Sequence, residues 1–238
     1  MRRRFFVNEV RNGHAQVAGE DAKHLTRVLR VEAGQRYEIS DNHNVYLAEI
    51  ETARKDSVLF RTIEKLDSES LPVRLTLCAA LIKFDRFEWI IEKATELGVA
   101  EIVPVRTVRC EHGLERAAVK RLERWRRIAL EASQQARRAH LPEVAGPAAL
   151  QEVLLRQATY RYVLDETRGA EPIHRVLPDA REASDAVAVL IGPEGGWTGD
   201  ERQAFVSAGW TQVSLGPLIL RAETAAVAAL AIVNAAWQ

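Results

Sequence analysis

The 238-residue sequence predicts two domains, a small antiparallel β-sheet or barrel over residues 1–70 and an α/β domain with a largely parallel sheet over residues 71–238. Three observations carry that reading. Residues 31–63 contain short segments of period-two alternation separated by polar turns. From residue 71 onward apolar strands alternate with helical segments, the order of a parallel α/β sheet. Where the two patterns meet, the polar stretch EKLDSES ends at Leu71-Pro72, and proline disfavours helix in the residue before it.

In the first part, GEDAKHLTRVLR reads as a short helix with Leu25, Val28 and Leu29 on one face and Lys23, Arg27 and Arg30 on the other. The strands QRYEIS, NVYLAEI and SVLFRTI follow. The turn SDNHN has no glycine, yet asparagine tolerates left-handed backbone better than most residues. In the second part, VRLTLCAAL is a strand and DRFEWIIEKATELG a helix with Phe87, Ile90, Ile91, Ala94 and Leu97 at helical spacing, closed by Gly98. AEIVPV is the next strand, and a long basic helix is expected from about Glu115 to Arg138. LQEVLLRQ then reads as helix, YRYVLDE as strand, and DAVAVLIG as a continuous apolar strand of the kind buried on both faces. TGDERQAFVSAG opens with Thr198 and Glu201 at capping-box spacing and stops at Gly209. QVSL is the last strand. The final helix, ETAAVAALAIVNAAW, is apolar nearly all round and needs deep burial or a subunit contact to cover it.

The 33 basic and 33 acidic residues cancel, but their distribution is uneven. Residues 104–140 hold ten Lys/Arg against four acids, and residues 141–238 hold seven against twelve. A local basic surface of this kind suits a polyanion even when the total is neutral. Cys78 and Cys110 form neither a disulfide framework nor a zinc pattern, and the six histidines are scattered without ligand spacing, so no metal is expected. MRRRFFVNEV lacks the apolar stretch of a signal peptide, and AAVAALAIVNAAW is too short to span a membrane. A cytoplasmic protein is expected.

The stretch VLIGPEGGWTGDE, residues 189–201, places four glycines between a strand and a helix. Ligands of open α/β sheets sit beyond the carboxyl ends of strands, where such a loop exposes its backbone. A second strand ends alike, Leu215-Gly216-Pro217 echoing Ile191-Gly192-Pro193. Neither loop suits phosphate: there is no G-x-G-x-x-G run and no Walker lysine, and the first helix begins with Asp200 and Glu201. A neutral or cationic ligand gripped by main-chain groups fits better. S-adenosylmethionine, an adenosine carrying a sulfonium and no phosphate, has that character.

IGPEGGWTGDE and LGPLILRAETA, with IEKATELGV, EASQQARRAHLPE and HLTRVLRVEAGQ, together resemble the RsmE family of SPOUT-superfamily RNA methyltransferases. The resemblance covers most of the chain. It implies a PUA-like β-barrel joined to a trefoil-knotted α/β domain, a homodimer, S-adenosylmethionine as cofactor, and methylation of N3 of a uridine in 16S ribosomal RNA, free or within the small ribosomal subunit. By the match, Ile191, Gly192, Gly195 and Gly196 belong to the first cofactor loop and Leu215, Gly216, Leu220 and Arg221 to the second, whereas Leu190 and Ile219 read as core. Arg221 and Arg138 are the candidates for stabilising charge on the uracil oxygens, and Glu194 or Glu223 for taking the N3 proton. Against those roles, Glu223 also reads as a helix N-terminal acid and Glu194 as a brace for its loop. RNA phosphates are expected to meet Arg2 to Arg4, Lys23, Arg27, Arg30, Lys83 and the stretch Arg121 to Arg138. Two features depart from the family pattern: Leu218 stands where arginine is usual, and DNHN replaces a glycine-containing turn.

Three rival readings remain at this level. A nicotinamide-dependent oxidoreductase would carry the phosphate fingerprint that is absent. A non-catalytic ribosomal RNA-binding or assembly factor would share the basic helices without needing both glycine loops. A related methyltransferase acting on another RNA would share everything but the target.

Overall fold

A computed structural model describes residues 4–68, 71–167 and 169–238. The chain divides into two compact units, one of Met1–Ser70 with Ser133–Leu141 and one of Leu71–Ala132 with Pro142–Gln238. A single boundary near residue 70 therefore does not describe the division, because residues 133–141 return to the first unit.

The first unit contains β1 (Arg4–Phe6), β2 (His14–Ala18), α1 (Gly19–Lys23), β3 (Arg36–Ser40), β4 (Val45–Arg54) and β5 (Ser57–Leu66), with strand order β1-β3-β4-β5-β2. β1 runs parallel to β3, and the remaining pairings are antiparallel. Register irregularities between Leu47/Ala48 and Ile50/Thr52 bend the β4–β5 ribbon. Phe5, Ile39, Ile50, Val58 and Phe60 fill its core, and Ala15 and Val17 of β2 alternate inward with them. β1, three residues long, and β2, five residues with two polar ones, are too short to have stood out in the sequence. The helix also differs from expectation. After α1 the chain widens into a π turn over His24–Val28, where the Leu29 N–H reaches His24 O at 3.2 Å. This wider turn rotates Val28 away from the face it was expected to share with Leu25, leaving it 64% exposed. In the SDNHN turn, Asn42 takes φ 68° and Asp41 Oδ1 accepts the N–H groups of His43 and Asn44 at 3.0 and 2.7 Å, which replaces a glycine turn.

Residues 133–141 are tied to this sheet by polar contacts. Ser40 Oγ donates to Ala139 O at 2.6 Å, and the Leu141 N–H reaches Asn42 Oδ1 at 2.6 Å. Glu38 receives Arg4 at 2.8 Å and also Arg137, and Arg4 Nη1 donates to Arg137 O at 2.5 Å.

The second unit comprises β6 (Arg74–Ala80), α2 (Phe84–Glu96), β7 (Glu101–Arg106), α3 (Leu114–Val119), all but the last three residues of α4 (Leu122–Gln135), β8 (Glu143–Val144), β9 (Ala148–Ala149), α5 (Leu150–Leu154), β10 (Tyr160–Leu164), β11 (Glu171–Pro172), α6 (Ile173–Val176), β12 (Ala186–Ile191), α7 (Gly199–Ser207), β13 (Thr211–Ser214) and α8 (Ala222–Ala236). Its sheet order is β11-β13-β10-β12-β6-β7-β8, with β9 also on β7, and every pairing among the described residues is parallel. The central strands bury both faces, as their apolar runs predict. Val187, Val189 and Ile191 of β12 face a core shared with α2 and α8, while Ala188 and Leu190 face Phe205, Trp197 and Trp210. The single basic helix expected from Glu115 to Arg138 is instead α3 and α4, separated at Lys120-Arg121. The tighter bond from Arg121 N to Ala118 O, 2.9 Å, marks the break, and beyond it Trp125 is fully buried with its ring 4.8 Å from that of Phe87. Gly98 closes α2 in left-handed conformation as expected, φ 85°. No helix among the described residues is long and apolar enough to cross a membrane.

Two polar fasteners set the ends of the strands. The capping box forms at α7: Thr198 Oγ1 accepts the Glu201 N–H at 3.2 Å and Glu201 Oε2 accepts the Thr198 N–H at 2.8 Å. Glu201 Oε1 in addition accepts the Val108 N–H at 3.0 Å, tethering the loop after β7. Just past β10, the Asp165 carboxylate receives a two-pronged contact from Arg202 of α7, at 2.7 and 2.9 Å, and its side chain is 1% exposed. Burial alone would raise this carboxyl; the Arg202 fork and the hydroxyl and N–H of Thr167 outweigh it and hold the group below the ordinary carboxylate range.

The folded-state value is thus lowered. The stabilisation it brings is present above the unfolded carboxyl's value of about 3.9 and is lost as pH falls through the lower folded value. Arg202→Gln leaves the buried carboxylate without its cation, with an expected cost of about 3 kcal/mol at pH 7. The variant's acid-side loss of stability should begin at higher pH than in the wild type. Urea unfolding between pH 7 and pH 3 measures both, and parallel curves would contradict the assignment.

Candidate functional site

In the parallel sheet β10 lies between β12 and β13, so all three strands deliver their carboxyl ends to the same edge. The loops that follow enclose a cavity of about 270 Å³. Leu164, Asp165 and Glu166 contribute from β10 and the residues after it, and Ile191 to Glu194, Gly196 and Trp197 from the loop after β12. The loop after β13 contributes Leu215, Gly216, Leu218 to Arg221, and Ala222 and Ala225 of α8 complete the wall.

The glycines of the first loop are required by close approach. A Cβ on Gly192 would lie 2.9 Å from the Trp197 indole. That indole is buried, T-shaped against Phe205 at 4.8 Å, and donates from Nε1 to Leu164 O at 2.8 Å, closing the loop onto the end of β10. Gly196 has φ 67°, and a Cβ there would meet Glu166 Oε1 at 2.7 Å. Gly195, expected in the same loop, does not line the cavity; its carbonyl accepts Arg109 Nη1 at 2.6 Å.

Other expectations fare unevenly. Leu190 is core, but Ile219 is 81% exposed and Leu218 77%, because β13 stops at Ser214 and both lie in the open loop beyond it. Arg221 lines the cavity immediately before α8 and is its only cationic lining residue among those described. Glu194 lines it too and pairs with Arg86 of α2, in keeping with a loop brace. Arg86 Nε also stands 3.9 Å from Glu223 Oε1 in the first turn of α8, while Glu223 Oε2 is buried without a hydrogen-bond partner. Arg138 does not line the cavity. It lies in the segment of the first unit, 8% exposed, donates from Nε to His140 O at 3.1 Å, and is pulled down to about 10 by burial.

Of the residues expected at phosphates, Arg27, Arg30 and Lys83 are exposed, and Lys23 is paired with Glu20 at 2.5 Å. Arg4, with a side chain 12% exposed, serves as the tie between Glu38 and the Arg137 carbonyl; Arg2 and Arg3 lie outside the described residues. Arg121 and Arg124 both hold Glu88, at 2.9 and 2.8 Å.

Arg86, Arg109, Glu166 and Trp197 are site residues that sequence reasoning missed. Only Trp197 carried a signal, as a large apolar residue embedded in a glycine loop. The other three act across loops distant in sequence.

The match to known proteins extends over both units. Residues 69–234 match the family described as an RNA methyltransferase domain, and residues 17–63 match an RNA methyltransferase PUA domain. The chain is 35% identical to the ribosomal RNA small subunit methyltransferase E of Synechocystis over 89% of this chain and 70% of that protein. It is 30% identical to the Bacillus subtilis protein of the same name over 92% and 88%. Among solved structures, a putative methyltransferase of Legionella pneumophila in complex with the bound cofactor SAM superposes with TM-score 0.90 at 29% identity, over 99% of this chain and 98% of that one. The ribosomal RNA small subunit methyltransferase E of Neisseria gonorrhoeae bound to S-adenosyl methionine gives 0.87 at 29% identity over the same shares. With a parallel sheet ending in two glycine loops and a sequence match across most of its length, the chain belongs to the RsmE family of RNA methyltransferases.

Proposed function

We propose that this protein transfers a methyl group from S-adenosylmethionine to N3 of a uridine in 16S ribosomal RNA. The observation that carries the reading is the cavity at the ends of β10, β12 and β13, walled mainly by backbone and aliphatic side chains. Its donor set fits the cofactor. Glycine at 192 and 196 lets the Trp197 indole and the Glu166 carboxylate close onto the bare backbone of the first loop, and Leu164, Ile191, Leu215 and Leu220 offer an apolar bed for an adenosine. Carboxylates outnumber cations in the lining, which favours a sulfonium over a phosphate.

When bound, S-adenosylmethionine supplies a methyl group on a sulfonium whose departing form is a neutral thioether. The loops after β12 and β13 would hold the donor through main-chain N–H and C=O groups and orient it. Arg221 stabilises negative charge on the uracil oxygens as N3 loses its proton. The N3 proton passes to solvent or to Glu194, which lines the cavity while braced by Arg86. Arg27, Arg30, Lys83 and Lys23 contact RNA phosphates, and Arg4 and Arg138 support the segment 133–141 from within the first unit.

The finer architecture follows the same reading. The first unit is a PUA-like barrel and the second a SPOUT domain in which the chain threads a trefoil knot. The insertion of β12 between β6 and β10, followed by the return of α8 against β12 and β6, supports that path. A cytoplasmic homodimer completes the proposal. One face of α8 packs inward through Ala226, Ala229, Leu230 and Val233, while Val227, Ala228 and Ala231 on the other remain part-exposed and apolar, a surface suited to a second copy.

Incubation with methyl-labelled S-adenosylmethionine and 16S RNA, free or in small subunits, is expected to place label on a uridine N3 identifiable by mass mapping. Arg221→Gln should lower that rate by about 100-fold. RNA binding without label would instead identify an assembly factor, and label in another RNA would redirect the substrate. Gly192→Ala, which forces the Trp197 indole off Leu164 O, should abolish donor binding in calorimetric titration and lower stability by about 1–3 kcal/mol. Val227→Glu should convert a dimer to a monomer in sedimentation equilibrium; an unchanged mass would remove α8 from the interface.

A further inference from the structure

Three carboxylates line the cavity, and two are already engaged. Asp165 is held by the Arg202 fork at 2.7 and 2.9 Å, and Glu194 by Arg86. Glu166 differs. It is exposed, and among the described residues its carboxylate has neither a hydrogen bond nor an ion pair; the guanidiniums of Arg202 and, beside the same Gly196, Arg109 stand beyond ion-pair distance. It follows β10, the strand flanked by β12 and β13, so it stands on the wall between the two glycine loops. Its Oε1 comes within 2.7 Å of where a Gly196 Cβ would be, which puts it directly over the first loop's backbone. The glycine admits that approach.

We infer that Glu166 is a specificity-determining residue that receives the positively charged part of the methyl donor, its sulfonium or its α-ammonium. The inference rests on the methyltransferase reading above. Adenosine is shared by many nucleotides, and an apolar bed with main-chain hydrogen bonds does not distinguish among them. An unpartnered carboxylate in the cavity does: it attracts the cationic donor and repels phosphate-bearing adenosines. Asp165 and Glu194 cannot serve this purpose, because each already faces a guanidinium.

The test compares wild type with Glu166→Gln, which keeps shape and removes charge, in calorimetric titrations with three sulfur-linked adenosine compounds, one a sulfonium and two thioethers. S-adenosylmethionine carries both cations, S-adenosylhomocysteine the ammonium alone, and methylthioadenosine neither. Glu166→Gln should weaken S-adenosylmethionine by about fivefold, the scale of one solvent-accessible charge pair, with methylthioadenosine and the ligand-free thermal midpoint unchanged. A parallel loss for S-adenosylhomocysteine assigns the contact to the ammonium, and an unchanged value assigns it to the sulfonium. Undiminished S-adenosylmethionine binding, or an equal loss for methylthioadenosine, overturns the inference while leaving the methyltransferase reading intact. Failure of the wild type to bind S-adenosylmethionine overturns that reading and this one together.

Discussion

Three parallel strands ending on one edge of a sheet are the constraint on which the cavity depends. β10 separates β12 from β13 by one strand spacing on either side, roughly 5 Å each, so the two glycine loops stand about 10 Å apart with the end of β10 between them. That gap suits a nucleoside-sized body. The chain around the end of β10 is fixed by contacts at and behind the cavity wall: Trp197 donates to Leu164 O, Arg202 grips Asp165, and Glu201 holds Val108 of the loop after β7. The loops keep their exposed backbone because bulky side chains elsewhere carry the packing. This division of labour explains why the first loop contains both glycines and a buried tryptophan.

The same groups connect stability to the site. The Asp165–Arg202 contact is a buried carboxylate with a part-exposed cation, a pairing whose value lies more in fixing geometry than in net stabilisation. Here the geometry fixed is the exit of the chain from β10, which aims the next residue, Glu166, into the cavity. A structural ion pair and an open carboxylate thus occupy adjacent positions with opposite duties.

Much of the second unit was legible from periodicity. The apolar runs of β6, β7, β10 and β12, the helical spacing of α2, the capping box at α7 and the left-handed Gly98 all follow from local rules. What local rules could not supply was anything set by distant partners. The π turn that exposes Val28, the break before α4 that buries Trp125, and the exposure of Ile219 each depend on packing or on where a strand stops. Among site residues, the loop glycines announced themselves, because a bare backbone is written in the sequence. Arg86, Arg109 and Glu166 did not, because a charged side chain reads as solvated surface until the fold brings its neighbour to it.

The return of residues 133–141 to the first unit has a bearing on how the chain is made. A ribosome releases β1 to β5 early, but Glu38, Ser40 and Asn42 find their partners Arg137, Ala139 and Leu141 only after α2, β7, α3 and α4 have emerged. The small sheet is therefore completed late, by a strip of polypeptide borrowed from the middle of the neighbouring module, and the two modules cannot be expressed as independent halves by one cut.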